Sequence, residues 1–280
     1  MKRTLLDARR LDFRRGNIVL PPNILSTLFN MKVPTEADIM GEVAAQAYPI
    51  GAQARFDGKL YRYSKAGEAM SAVGFLKCLY MQCPGKAGNS VNSGFEGALS
   101  ANVAAGATSF TIADTVAAKD EYEGAYFVVY NSTDNVWESH RVIRNDVSTG
   151  TTTTLYIASP GFKNALTTAF GITIYRSPWS DVRAYSTGGG WASPGGYARM
   201  AITSGYFFWM QTAGEISGVT GASTWPGQTQ YNRDVYANTD GSLIGSDDSA
   251  TRVHYARIGY LLARTATDYG DNLVMLQLDQ

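Results

Sequence analysis

Cysteine and histidine are nearly missing from this chain, with two of each in 280 residues. Cys78 and Cys83 are too few for the disulfide framework of a small secreted protein. They also make a poor zinc signature, because a structural site needs four ligands and only His140 and His254 could complete it. No metal and no other cofactor is expected, and both thiols read as small apolar side chains packed in a core. Charge is sparse as well. Charged residues make up 17% of the chain, against about a quarter in an average soluble domain. The 24 basic and 24 acidic residues cancel, which excludes the basic surface of a nucleic-acid binder and leaves a free monomer with little colloidal repulsion. No apolar run approaches the ~20 residues of a membrane helix. The stretch from Met1 to Arg10 lacks the apolar core of a secretory signal. Neither nucleic acid nor membrane is therefore an expected partner.

Catalytic motifs are lacking too. Gly188-Gly189-Gly190-Trp191-Ala192-Ser193-Pro194-Gly195-Gly196 has neither the lysine nor the spacing of a phosphate-binding loop. There is no G-x-S-x-G elbow to expose a serine nucleophile. His140 and His254 lie in strand-like runs with no partner visible in the sequence. Asp240, Asp247 and Asp248 begin a calcium-like spacing, but the remaining oxygen ligands do not follow. No enzymatic activity is expected.

What the chain has is aromatic and β-forming. Hydrophobic residues make up 45% and aromatic ones 12%, with 17 tyrosines. Such a composition excludes disorder and suggests a surface partly covered by partners. The expected fold is mainly β, an antiparallel β-sandwich or barrel-like body with an extended N-terminal arm and few short helices. Residues 1–47 form the arm. Six basic residues against two acidic ones lie between Lys2 and Arg15. They are followed by Ile18-Val19-Leu20 and a Pro21-Pro22 break that stops any regular ladder. A short helix after Thr35 fits there, with Thr35 as N-cap. Residues 48–280 form the body, with two subdomains, about 48–185 and 186–280, as an open division. Asp57-Gly58 marks a tight hairpin. Phe110 and Ile112 alternate on one strand face, and Ala125–Tyr130 with Val136–Ile143 reads as a second hairpin. Gly205–Gln211 reads as a strand buried on both faces. Ser64–Leu79 has helical composition, weakened by Gly67 and Gly74.

Several segments, taken in order, resemble a known group. Pro49-Ile50-Gly51-Ala52 leads into Phe56–Gly67. Ala104–Ile112 is followed by Tyr122–Val129, then Arg141–Ile143, Thr203–Thr212, Arg257–Tyr260 and Val274–Asp279. Together they are similar to the capsid decoration, or cement, proteins of tailed bacteriophages. The match covers residues 48–279 and includes no catalytic signature. The resemblance implies a non-enzymatic virion protein on the outside of the head. Its expected partners are the major capsid protein and itself, as a homo-oligomer with a trimer favoured. The arm lies outside the match. There Arg9, Arg10, Arg14 and Arg15 are candidates for pairing with acidic capsid patches, and Ile18 and Leu20 for apolar anchoring. The alternative is a tail-fibre or receptor-binding module that stacks host glycans on aromatic loops, with Trp191 and Trp225 as its candidates. A major capsid protein is disfavoured by the absence of a long periodic helix, and a glycan hydrolase by the absence of a supporting motif.

Overall fold

The computed structural model describes the backbone of residues 18–20 and residues 34–81, 94–131, 133, 135–185, 192–221, 226–227, 232–245, 256–264 and 272–279. In chain order the strands are β1 (Ile18–Leu20), β2 (Glu42–Val43), β3 (Gln53–Phe56), β4 (Lys59–Lys65), β5 (Leu76–Tyr80) and β6 (Gly94–Ala98). They continue with β7 (Ser109–Ile112), β8 (Tyr126–Asn131), β9 (Val136–Asn145), β10 (Thr153–Ile157), β11 (Gly171–Tyr175) and β12 (Val182–Ala184). The last are β13 (Ala192–Tyr197), β14 (Phe207–Gly218), β15 (Asp234–Ala237), β16 (Leu243–Ile244), β17 (Arg257–Ala263) and β18 (Asn272–Gln277). The fold is mainly β and antiparallel, with few short helices. The expected helix after Thr35 is a single turn, α1 (Glu36–Ile39), closed by a reciprocal capping box between Thr35 and Asp38.

The described residues form two compact units, and the division is an insertion rather than a cut near residue 185. Met81–Pro178 forms one unit, and the described residues before and after it form the other. A single boundary was the natural reading of a linear sequence. The return of the chain to the first sheet at β12 depends on pairing with β5, which no local pattern announces.

The first unit is a twelve-stranded sheet whose main path runs β1-β3-β4-β14-β18-β17-β15-β16. The β3–β4 hairpin turns at Asp57 (φ 50°) and Gly58 (φ 72°). Both left-handed conformations are those a two-residue turn needs. Strand β14 threads the sheet, pairing with β4 along its first half and β18 along its second. Phe207 to Thr212 are all buried, as the unbroken apolar run predicts. One face carries Tyr48, Tyr63, Phe207 and Trp209, and the other Met70, Ile202, Phe208 and Met210. The Tyr63 ring centroid lies 5.2 Å from Tyr48 and 5.1 Å from Trp209. Such aromatic pairs each add about 0.5–1.5 kcal/mol beyond simple burial. Arg62 forks onto the Asp279 carboxylate and also donates to the Gly51 carbonyl at 3.1 Å, tying the end of the chain to β4.

Ser64–Leu79 is not helical. It completes β4, turns, and enters β5. Gly74 sits at φ +79°, and a Cβ on Gly67 would come within 1.6 Å of Asp181 Oδ1. Both glycines are demanded by the turn and by close packing, and both interrupt a helix.

The second unit is a six-stranded sheet in the order β6-β11-β8-β9-β10-β7. A bridge between Leu99 and Ile112 joins its two ends, with Ser100 N donating to Thr111 O at 2.9 Å. The sheet therefore closes on itself as a small barrel. Strand β9 makes the corner, because Val136–Arg141 pair with β8 while Val142, Arg144 and Asn145 pair with β10. The interior is filled by Phe110, Phe127, Phe162, Leu155, Ile172 and Ile174 among others. A six-stranded barrel is narrow enough for side chains to fill, and each fully buried aliphatic or aromatic side chain stabilises it by about 1.5–3 kcal/mol. Asn145 is the polar hub of the wall. Fully buried, it accepts from Tyr122 N and donates to the Ala118 and Asp146 carbonyls, each at 2.8 Å.

Candidate functional site

The residues singled out in the sequence separate into three groups. Arg9, Arg10, Arg14 and Arg15 lie outside the described residues, as do Cys83, Trp191, Trp225, Asp247, Asp248 and His254. Ile18 and Leu20 belong to β1, opposite Arg55 and Gln53 of β3. The arm thus adds a strand to the edge of the large sheet, and backbone hydrogen bonds fix its register. The remaining candidates are structural. Cys78 is buried, with Sγ 3.4 Å from the Ala184 carbonyl. Burial pushes its thiol up to about 11, so at neutral pH it is a thiol and not a thiolate nucleophile. Asp240 accepts from Ser242 N at 2.9 Å and from its hydroxyl at 2.6 Å, closing a local turn. Among the described residues no three His, Cys, Asp or Glu side chains come together.

Two buried ionisable groups escaped the sequence reading. Lys77, beside Cys78 in β5, is fully buried and donates from Nζ to the Ala72 carbonyl at 2.5 Å. Burial holds its pKa below the usual lysine range, against the opposing pull of Cys78 and Glu68. Glu138 points into the barrel with His140. Burial raises its pKa, but hydrogen bonds from Lys163 N, Asn164 N, Asn164 Nδ2 and His140 outweigh this and bring it below the usual carboxylate value. The His140 ring packs 5.1 Å from Phe162. Glu138 thereby clamps the Lys163–Asn164 loop onto the barrel end, a positioning task.

The outer wall of the barrel carries the most unusual surface. Trp137 is 72% exposed, Tyr126 46%, Tyr130 38% and Tyr175 36%. The registers place them in rows across four strands. One row is Trp137–Tyr130–Gly171–Ala98, and another is Arg141–Tyr126–Tyr175–Gly94. Between them runs the row Ser139–Val128–Thr173–Glu96, polar apart from Val128. The rings of Trp137 and Tyr130 lie 5.8 Å apart at 35°. A Cβ on Gly171 would meet the Tyr130 ring at 2.8 Å, so glycine there lets Tyr130 lie across β11. Alternation along Val136–Val142 carries this information. Glu138 and Val142 face inward, which puts Trp137 outside with Ser139 and Arg141.

The large sheet bears a separate groove of about 460 Å³ lined by Met40, Val73, Arg199, Glu215 and Leu273 among others. Met40, Val73 and Leu273 are exposed apolar residues at its rim. An apolar rim with two cations, Lys59 and Arg199, and one anion, Glu215, suits a protein surface more than a small polar substrate. No protein-family model, curated protein or solved structure matches this chain.

Proposed function

We propose that this chain is a structural protein of a phage virion, a decoration or cement protein that binds the outside of the head. It acts as a homotrimer there and stabilises contacts between major capsid proteins. The observation that carries the reading is where the ordered resemblance falls. Phe56–Gly67 spans β4, Ala104–Ile112 ends in β7, and Tyr122–Val129 enters β8. Arg141–Ile143 lies in β9, Thr203–Thr212 runs into β14, Arg257–Tyr260 lies in β17 and Val274–Asp279 covers most of β18 and the two residues after it. The likeness thus follows framework strands of both units, where a chance match of turn-rich loops would not. The exposed apolar residues of the large sheet and its rim groove support the same reading, since a free monomer has little use for them. Apolar anchors between capsomers would add interface area against internal pressure.

The arm is the attachment element in this account. Arg9, Arg10, Arg14 and Arg15 precede β1, which is held at the sheet edge, so a basic segment is tethered within reach of acidic capsid groups. The test is co-sedimentation with heads purified from particles that lack this protein. The full chain is expected to pellet with the heads. A chain lacking residues 1–17, which keeps β1, is expected to remain in the supernatant, and raising the salt should weaken attachment of the full chain. Equal occupancy by both chains removes the arm from the account. Failure of both to bind removes the cement reading itself.

A further inference from the structure

We infer that the outer wall of the barrel is a carbohydrate platform, on which a chain of pyranose rings runs from one aromatic row to the other. The inference does not depend on capsid attachment, which rests on the other unit and the arm. Three observations carry it. First, four aromatic side chains on one small wall stand in solvent, led by Trp137 at 72% exposure. On a soluble surface an aromatic cluster of this kind marks a binding site. Second, one pair of rings is held in place before any ligand arrives. Tyr130 lies over Gly171 and against Trp137, while Tyr126 and Tyr175 are register partners on adjacent strands. Two rows separated by four residues along the strands stand about 13–14 Å apart, a span that suits a short oligosaccharide rather than one sugar. Third, the row between them is polar apart from Val128. Among the described residues the side chains of Ser139, Thr173 and Glu96 make no hydrogen bond or ion pair, nor does that of Arg141 in the neighbouring row, so they remain able to meet sugar hydroxyls.

Sugar chemistry fits this alternation. The C–H face of a pyranose is apolar with a slight positive character and settles on the electron-rich face of an aromatic ring. Its hydroxyls point sideways and need donors and acceptors, which the central row supplies. A protein partner would favour a continuous apolar centre with polar groups at the rim, the reverse of a polar strip between two aromatic ones. Single-stranded nucleic acid also stacks on aromatic rows, but it needs a positive groove. Residues 81–178 hold six basic residues against eight acidic ones.

The test uses the full-length chain and a printed array of oligosaccharides of three or more pyranoses. The array includes gluco-, manno-, chito- and uronate-containing series, and hits are followed by titration calorimetry. Binding to at least one series is expected, with a shift in tryptophan fluorescence. Trp137→Ala and Tyr126→Ala should each weaken binding by about tenfold or more. Leu273→Ala, on the other unit, should leave it unchanged. Both aromatic positions are exposed, and circular dichroism verifies that the variants fold. Three results overturn the inference. One is no binding at millimolar sugar, and another is binding that survives both aromatic substitutions. The third is a drop in oligomer size on Trp137→Ala without sugar binding by the parent, which assigns the wall to protein contact.

Discussion

On alkaline titration this protein is expected to unfold cooperatively just above the pH at which free tyrosine ionises. Tyr48, Tyr61, Tyr63, Tyr122 and Tyr197 are all buried. Burial is the largest cause of a raised pKa at each of them, and Tyr48 is pushed up to about 12. The Tyr122 hydroxyl also donates to Asp114 Oδ2 at 2.6 Å, which holds the proton more firmly. An acid with a raised folded-state pKa keeps its proton where the unfolded chain has already lost it. Stability is therefore unaffected below about pH 10 and falls as pH rises beyond it. Each such tyrosine costs about 1.4 kcal/mol per pH unit, so two of them cost roughly 3 kcal/mol. Against a total of about 5–15 kcal/mol, the large sheet, with four of the five, should open within about two pH units. Lys77 acts in the opposite sense, because its lowered pKa makes stability rise with pH up to about 10.5. The part of the tyrosinate absorbance that belongs to the buried tyrosines should rise in one steep step together with the loss of far-ultraviolet circular dichroism. Ionisation of all 17 tyrosines near pH 10 in a chain that stays folded would contradict the packing of these residues. Tyr197→Phe should move the step to higher pH. It removes a buried hydroxyl without a hydrogen-bond partner, and the folded state should gain about 1 kcal/mol at neutral pH.

Gly259→Val is expected to prevent folding of the large sheet. Gly259 lies in β17 opposite Leu276 of β18. A Cβ there would fall 1.9 Å from the backbone oxygen of Met275. The neighbour is main chain in a paired strand, so it cannot swing aside as a side chain could. Either β17–β18 pairing is lost or the sheet splays, at a cost of about 4 kcal/mol or more. Gly205→Ala is the matched control. Its φ of +79° disfavours a side chain, but nothing lies within 4 Å, so the cost is about 1 kcal/mol. In thermal melts the control should lose only a few degrees, while Gly259→Val should show no cooperative transition. A valine variant that melts like the parent would mean that β17 and β18 do not approach as described.

Much of the fold was legible because its signals are local. Asp57-Gly58 demanded a hairpin, Thr35 with Asp38 a helix start, and Phe207–Gln211 a strand without a wet face. The helical reading of Ser64–Leu79 failed because composition cannot reveal what a glycine packs against, here the Asp181 carboxylate. The insertion of the barrel was hidden because the return of the chain from β11 to β12 has no sequence mark. Closure of the barrel rests on one long-range bridge, Leu99 to Ile112, between residues with ordinary apolar surroundings. The aromatic wall was half legible. Alternation in β9 puts Trp137 on the Ser139 and Arg141 face, but Tyr130 and Tyr175 join it only through pairing with other strands. Trp191 and Trp225 stand out in the sequence instead, because glycine-rich stretches surround them.

The central claim is tested most directly by a cryo-electron microscopy map of purified particles that contain this chain, with its copy number taken from the same preparation. Density is expected on the outer surface of the head at the local threefold positions, in numbers that scale with the capsid lattice. Density confined to the tail, or a handful of copies per particle, would contradict it.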